Sequence, residues 1–236
     1  MILIFDYFET LVGNKSIDFN RALIGFWAAY YKNKCSFDEI KEYGEELFSH
    51  LLDLHRQGKE FAFVREELPM YAQRYGGKSV QMSAEEEADF LMKANDMEPM
   101  DGIEDVLNML QSRGIPMYVL SNSGFSAAAL SIALQRLGLG EYFNGIFSSA
   151  DFGVIKPCRE LYDTVINKAL ADNPDEMREN IVFVGDTYES DIAGALGAGI
   201  KAVWIHSAPD DRENAPYVFR IDTVRSLPDT VNRLPG

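Results

Sequence analysis

The sequence predicts an α/β protein with a doubly wound parallel sheet and a long helical insertion near its amino terminus. Short, nearly continuous apolar segments recur after residue 116 and alternate with helical patterns, which is typical of buried parallel strands covered by helices on both faces. Residues 2–5, ILIF, have the same strand character, but only helical patterns follow them for a long stretch. Together these observations predict a Rossmann-like sheet whose first two strands are separated by the insertion.

The predicted strands are short runs rich in β-branched and aromatic residues. In chain order they cover residues 2–5, 117–121, 145–149, 181–185 and 201–205, and a final edge strand at 217–221 precedes a last helix. A helix of the sheet layer is predicted over residues 101–113, because Gly114 and Pro116 follow it as stop signals.

The insertion is predicted to be entirely helical. Apolar residues at helical spacing cover residues 17–34, 37–57, 61–75 and 84–95, and Ser36 and Ser83 are placed to cap the second and fourth of these helices. We therefore assign residues 14–95 to the insertion, and residues 1–13 and 96–236 to the α/β core domain.

The composition limits the partners that this chain can have. With 22 Lys and Arg residues against 37 Asp and Glu, the formal charge is −15, which repels nucleic acid and attracts cations such as Mg²⁺. We expect neither a signal peptide nor a membrane-spanning segment, because no apolar run has the required length. Cys35 and Cys158 lack CxxC spacing and are expected to be free thiols, which favours a cytoplasmic location.

Polar residues follow the predicted strands at the edge where an open parallel sheet binds its ligands. Singly, each has an ordinary explanation, since acids and hydroxyls at strand ends commonly cap turns and lysines are commonly solvated. Their recurrence at four strand ends of one sheet instead predicts a shared site. In chain order they are Asp6, Thr10, Ser121, Asn122, Lys156, Asp186 and Asp191.

This set of motifs resembles that of the haloacid dehalogenase (HAD) superfamily of hydrolases. The strand and DxxxT of its first motif are matched by IFDYFETL, the strand ending in Ser by YVLSNS, the lysine by GVIKP, and the final acidic motif by VGDTYESD. The resemblance covers nearly the whole chain. It implies a HAD-like core, and it implies that the insertion is the helical cap domain of one large branch of the family.

The resemblance also implies roles for these residues. Asp6 would be the nucleophile that forms an aspartyl-phosphate, with Lys156 and Ser121 assisting catalysis, while Thr10, Asn122 and Lys156 bind the phosphate. Mg²⁺ would be held by Asp6, the backbone carbonyl of Phe8, Asp186 and Asp191, because hard oxygen ligands suit this ion. The implied partner is a small phosphorylated metabolite, and we expect a monomer or a homodimer.

One position departs from the phosphatase pattern of the family. The second aspartate, which protonates the leaving group, is replaced by Phe8, and Glu9 is expected to point the other way. A 2-haloacid dehalogenase is therefore an alternative, since halide leaves unprotonated, although those enzymes need no metal and replace the acid equivalent to Asp186. A non-catalytic phosphometabolite-binding protein is a further alternative.

Substrate choice is expected to reside in the insertion. Phe26, Trp27, Tyr30 and Tyr31 cluster on one helix, and we expect most of them to pack within the helical bundle rather than to line a pocket. Arg21 and Arg65 are candidate anion contacts, with a solvated or bundle-pairing role favoured.

Overall fold

A computed structural model describes residues 1–234 of the chain. These residues form eight strands: β1 (Ile2–Phe5), β2 (Val12–Ile17), β3 (Asn95–Pro99), β4 (Met117–Ser121), β5 (Gly145–Ser148), β6 (Ile181–Gly185), β7 (Lys201–Ile205) and β8 (Val218–Ile221). Six of them form one parallel sheet in the order β5-β4-β1-β6-β7-β8. All six predicted strands are present, and β5 and β8 form the two edges of the sheet.

The path of the chain through the sheet confirms the doubly wound, Rossmann-like α/β prediction. From β1 the chain builds outward through β4 and β5, and it then returns to the other side of β1 to build β6, β7 and β8. The order therefore reverses between β1 and β6, and the crevice at their carboxyl ends is where such sheets bind ligands.

The described residues form nine α-helices, of which the first four belong to the insertion and the other five belong to the layers on this sheet. They are α1 (Phe19–Tyr30), α2 (Phe37–Arg56), α3 (Leu68–Tyr75), α4 (Ala84–Ala94), α5 (Ile103–Ser112), α6 (Ala127–Arg136), α7 (Arg159–Asp172), α8 (Ala193–Gly197) and α9 (Leu227–Val231). Successive residues of β1 alternate between two apolar clusters, with Leu3 and Phe5 in one and Ile2 and Ile4 in the other. This alternation follows from the two-residue period of a strand, and it makes β1 the buried centre of the molecule.

The insertion contains four helices, and two of them begin as the sequence predicts. Ser36 and Ser83 each accept a hydrogen bond from the backbone three residues on, while Glu39 and Glu86 bond back to the serine, forming two capping boxes. The third segment differs from the expected single helix. A wide turn of π-helix, Phe63–Glu67, precedes α3, and Pro69 lies in the first turn of α3.

The prediction that no strand interrupts the insertion is wrong at both of its ends. The strands β2 and β3 pair antiparallel and cross the assigned boundaries at residues 13/14 and 95/96. The sequence does not predict these strands, because β2 lacks the alternating apolar residues of a half-buried strand. Most of β2 is exposed, and Ile17 is 60% accessible. The pairing joins segments far apart in the chain and depends on tertiary structure.

Among residues 1–234, no helix has both the length and the apolar character needed to cross a bilayer. Cys35 and Cys158 are free thiols, and both are partly buried.

Candidate active site

Asp6 lies at the carboxyl end of β1, beside the point where the strand order reverses. Its backbone N–H donates to the carbonyl of Val184 on the neighbouring strand β6 at 2.8 Å, so the sheet ladder fixes the residue. Its side chain is almost fully buried. Asp186 follows β6 directly, and the backbone carbonyl of Asp186 accepts a hydrogen bond from Trp204 Nε1 at 2.8 Å. The adjacent strands β1 and β6 thus place two carboxylates in one crevice.

A third carboxylate completes the cluster. Asp191 is fully buried, and its Oδ2 accepts a hydrogen bond from the backbone N–H of Thr187 at 3.0 Å. Each of the three acids contributes one carboxylate oxygen, and these oxygens lie within 4.8 Å of one another; the acids are Asp6, Asp186 and Asp191. Gly185 permits this approach, because a Cβ at that position would lie 2.5 Å from Asp191 Oδ2.

Lys156 is the cation of the cluster, and only 2% of its surface is exposed. Its Nζ donates to Asp6 Oδ1 at 2.5 Å and to Asp191 Oδ1 at 2.7 Å. The Asn122 side chain holds this residue from the end of β4, since Oδ1 accepts from the Lys156 N–H at 2.7 Å and Nδ2 donates to its carbonyl at 3.2 Å. The side chain of Asn122 therefore positions the lysine, a role that the sequence did not suggest.

The electrostatics of the cluster reflect an excess of negative charge. Burial raises the pKa of Asp6 to about 7, because the lowering by Lys156 offsets only part of that effect and Asp191 raises it further. Burial and Asp191 likewise raise the pKa of Asp186. Burial alone would lower the pKa of Lys156, but Asp6 and Asp191 outweigh it and raise that pKa. Three acids thus share one ammonium.

The donor set fits a divalent cation. Three carboxylate oxygens within mutual reach are hard ligands of the kind that Mg²⁺ prefers, and a bound cation would neutralise the charge that Lys156 leaves uncompensated. The structure does not test the ligand role predicted for the Phe8 carbonyl, which stays a prediction.

The two predicted hydroxyl groups lie buried at the same edge. Ser121 ends β4 with no exposed surface, and its Oγ is 3.4 Å from the carbonyl of Asn122, which is a long hydrogen bond. Thr10 is 1% exposed, and its Oγ1 has no hydrogen-bond partner among the described residues. A buried hydroxyl without a partner is costly, so both groups retain capacity to bind a further oxygen.

A cavity of about 720 Å³ lies between the core and the insertion, and its lining includes Phe8 and Ser123, which are close in the chain to Asp6 and Ser121. On the core side it is lined by Phe8, Glu9 and residues 123–125, and on the other side mainly by apolar residues of the insertion. The phenyl ring of Phe8 therefore faces a largely apolar space. The expectation that Glu9 points away from Phe8 assumed an extended segment, but the backbone of Glu9 is left-handed, φ 59°, and both residues line this cavity. The Oε1 of Glu9 accepts a hydrogen bond from Asn14 Nδ2 at 3.5 Å.

Buried glutamates join the insertion to the core, and sequence reasoning missed them. Glu87 on α4 accepts hydrogen bonds from Ser126 N–H at 2.8 Å and Ser126 Oγ at 2.6 Å, at the start of α6. Glu60 accepts from the hydroxyl of Ser149 and from the Phe61 N–H. No sequence signal marked these residues, because charged residues are rarely buried unless paired and their partners are distant in the chain.

The structure also places the aromatic and arginine residues of the insertion that the sequence analysis named. Arg65 is exposed and donates to the carbonyl of Ala150 in the core at 2.7 Å, so it contacts the core backbone rather than a partner within the bundle. Phe26 and Tyr31 are buried and pack against Tyr71, as expected of bundle residues. Arg21 donates to Ser16 Oγ at 3.0 Å on the exposed surface.

Comparison with known proteins assigns the family. The family model described as "Hydrolase: haloacid dehalogenase-like hydrolase" matches residues 1–199. The chain belongs to the haloacid dehalogenase-like hydrolases. As a member of this family it is a hydrolase, which confirms the resemblance drawn from the four motifs.

Curated relatives of this HAD-like hydrolase include phosphatases. It is 35% identical over 129 residues to the pyrimidine 5'-nucleotidase YjjG of Escherichia coli (strain K12), a match that covers 55% of this chain and 53% of that protein. It is 26% identical over 212 residues to the HAD-hydrolase YfnB of Bacillus subtilis (strain 168), covering 86% of this chain and 72% of the relative. The alignment with YjjG thus spans only about half of that relative.

Solved structures share the fold of this HAD-like hydrolase. A 2-haloacid dehalogenase from Pseudomonas syringae pv. Tomato DC3000 superposes with a TM-score of 0.68 at 23% identity, covering 99% of each chain. YfnB bound to magnesium superposes with a TM-score of 0.59 at 22% identity, covering 98% of each chain. At these identities the likeness establishes the fold alone.

Proposed function

We propose that this HAD-like hydrolase is a Mg²⁺-dependent phosphatase that acts on a small phosphorylated metabolite through an aspartyl-phosphate on Asp6. The observation that carries the proposal is the cluster of Asp6, Asp186 and Asp191, whose oxygens lie within 4.8 Å of one another. The nucleotidase relative and the magnesium-bound structure of YfnB support the same reaction class and the same ion. The two free thiols are consistent with the cytoplasmic location expected from the sequence.

The cluster provides the groups that phosphoryl transfer needs. A carboxylate and a phosphate repel each other, and Mg²⁺ held by the three acids would reduce that repulsion and polarise the phosphoryl oxygens. Lys156 adds a positive charge 2.5 Å from the Asp6 carboxylate, where it would also bind the phosphate. The hydroxyls of Ser121 and Thr10 would donate hydrogen bonds to phosphate oxygens.

The reaction then has two steps. An oxygen of Asp6 forms a bond to phosphorus while the bond from phosphorus to the leaving oxygen breaks, giving the aspartyl-phosphate. Water attacks that phosphorus in the second step, which releases phosphate and restores the carboxylate. Lys156 stays in contact with Asp6 and neutralises negative charge in both steps.

Phe8 limits the substrates that can react at a useful rate. Because a phenyl ring cannot donate a proton, leaving groups that depart as anions are favoured, and acyl and aryl phosphates are of this kind. Positioned acid–base assistance is worth about 10² to 10⁴ in rate. We therefore expect simple alkyl phosphates to be poor substrates.

A second candidate is a 2-haloacid dehalogenase. The apolar cavity that Phe8 lines favours it, since halide needs no proton and a halogenated carbon chain suits such walls. The intact pair Asp186 and Asp191 weighs against it, because carbon–halogen cleavage by a carboxylate requires no cation.

Three measurements separate the candidates. Phosphate release from 4-nitrophenyl phosphate is measured with and without Mg²⁺, and chloride release from 2-chloropropionate is measured in parallel. We expect Mg²⁺-dependent phosphate release that Asp6→Asn abolishes while its circular dichroism stays unchanged. Metal-independent chloride release would establish the dehalogenase instead. Saturable binding of the aryl phosphate without turnover in either assay would indicate a non-catalytic binding protein.

A further inference from the structure

Glu67 places a carboxyl group on the cavity between the core and the insertion, and the reaction described above does not use it. It ends the π-helical turn Phe63–Glu67 at the start of α3. Among the described residues its one hydrogen bond from a side chain is long, from Tyr71 Oη to Oε1 at 3.5 Å. Within residues 1–234 no lysine, arginine or histidine forms an ion pair with it. A carboxyl group accepts several hydrogen bonds, so most of this capacity is unused.

The walls around this carboxyl group are apolar. Leu23, Leu47 and Phe90 line the same cavity, and the rings of Phe63 and Phe90 lie 4.5 Å apart between centroids. Burial in these surroundings raises the pKa of Glu67 to about 7. A carboxyl group kept in an apolar cavity with only one long hydrogen bond destabilises the fold, and such groups are concentrated at binding sites.

The cavity and the carboxylate cluster are close enough to serve one molecule. Phe8 and Ser123 line the cavity, and they lie two residues from Asp6 and Ser121 respectively. A volume of about 720 Å³ falls within the range of small-molecule sites, so the space suits a ring-sized organic group. A phosphate held at Asp6 would leave the rest of its ester in this cavity.

We propose that Glu67 determines substrate specificity by accepting a hydrogen bond from an N–H or O–H group on a ring-sized, otherwise apolar leaving group that fills the cavity. This inference rests on the proposed phosphatase function. The hydroxyl of Tyr71 orients the carboxyl group of Glu67. Gly44 leaves room for this hydroxyl, because a Cβ on Gly44 would lie 3.1 Å from Tyr71 Oη. The substrate class is therefore an aryl or heterocyclic phosphate that carries a hydrogen-bond donor.

Two phosphates of similar size test this assignment, indol-5-yl phosphate with a ring N–H and 2-naphthyl phosphate without one. We expect the kcat/KM of the wild-type protein with Mg²⁺ to favour the indolyl ester by about tenfold or more, because the acceptor loses its partner with the naphthyl ester. Glu67→Leu is expected to bring the ratio near one, whereas Glu67→Gln keeps an amide acceptor and part of the preference.

Two controls exclude a merely structural effect. Inhibition by inorganic phosphate should be the same in the wild type and in Glu67→Leu, because phosphate binds at Asp6 and not in the cavity. Glu42→Leu makes the same replacement at an exposed position of α2 and should retain the full preference.

The outcomes distinguish this inference from the proposed function. Turnover of both esters with equal kcat/KM in the wild type, or a ratio unchanged in Glu67→Leu, overturns the specificity role and leaves the phosphatase intact. If neither ester is hydrolysed, calorimetry with Mg²⁺ decides. Binding that prefers the indolyl ester and loses this preference in Glu67→Leu supports the subsite and refutes the phosphatase, while no binding of either ester refutes both.

Discussion

Glu67→Gln should stabilise the protein at neutral pH. The substitution keeps the shape of the side chain and removes a charge that the apolar cavity does not solvate. Burial raises the pKa of Glu67 from 4.5 to about 7, and this difference corresponds to about 3 kcal/mol between the charged and neutral forms. The wild-type protein bears this cost whenever Glu67 is ionised, whereas the glutamine variant does not.

The sign of the pH dependence follows from proton binding. Between pH 4.5 and about 7 the folded state holds the Glu67 proton more tightly than the unfolded state does, so raising the pH lowers the stability of the wild type relative to the variant. The expected advantage of Glu67→Gln is close to zero below pH 4.5, about 2 kcal/mol at pH 6 and about 3 kcal/mol above pH 7.

Urea unfolding of both proteins from pH 4 to pH 8 measures this advantage. Other titratable groups on the cavity occur in both proteins, so their contributions cancel in the difference; they are Glu9, Asp18, Lys41, Glu45 and Tyr71. A constant difference across this range would show that the carboxyl group is solvated in the cavity. That result would refute the reasoning about burial and weaken the case for Glu67 as an unpaired acceptor.

Three further changes test the site and its attachment to the insertion. Phe8→Asp should raise the turnover of alkyl phosphates by about 10²-fold or more while changing that of aryl phosphates little, and equal changes for both classes would contradict the role of Phe8. Lys156→Met should destabilise the metal-free protein by about 3 to 5 kcal/mol in urea, because it leaves buried carboxylates unpaired, whereas the exposed Lys168→Met should cost little. Glu87→Ala should cost about 1 to 3 kcal/mol in guanidinium unfolding, because the N–H and hydroxyl of Ser126 lose their acceptor; an unchanged midpoint would show that water replaces it.

The sheet and its acidic edge were predictable because both follow from local pattern. Buried parallel strands are recognisable as apolar runs, and the rule for ligands at strand ends points to Asp6 and Asp186 without coordinates. The structure brings those residues and Asp191 to one place. Capping boxes at Ser36 and Ser83 were equally local, since each lies within four consecutive residues.

The features that sequence reasoning missed depend on contacts between distant segments. The pairing of β2 with β3 joins the two ends of the insertion. Glu87 caps a helix of the core from a helix of the insertion, and the acidic run at 85–87 in which it lies gives no local sign that it is buried. The side chain of Asn122 binds the backbone of Lys156 on a loop more than thirty residues away, while the phosphate-binding role predicted for Asn122 stays a prediction. Such partners have no local signature.

The replacement of the second acid and the nature of the cavity have one explanation. In the proposed phosphatase, Phe8 would stand at the position from which a proton is donated, and this residue also lines the cavity proposed for the leaving group. An aryl or acyl leaving group needs no proton, and it gains about 25 cal/mol for each Å² of apolar surface that it buries there. An aspartate at this position would add a charge to an apolar wall. The chemistry of these leaving groups and their binding in the cavity therefore both favour phenylalanine. Substrates with donor-bearing aromatic leaving groups satisfy Phe8 and Glu67 together.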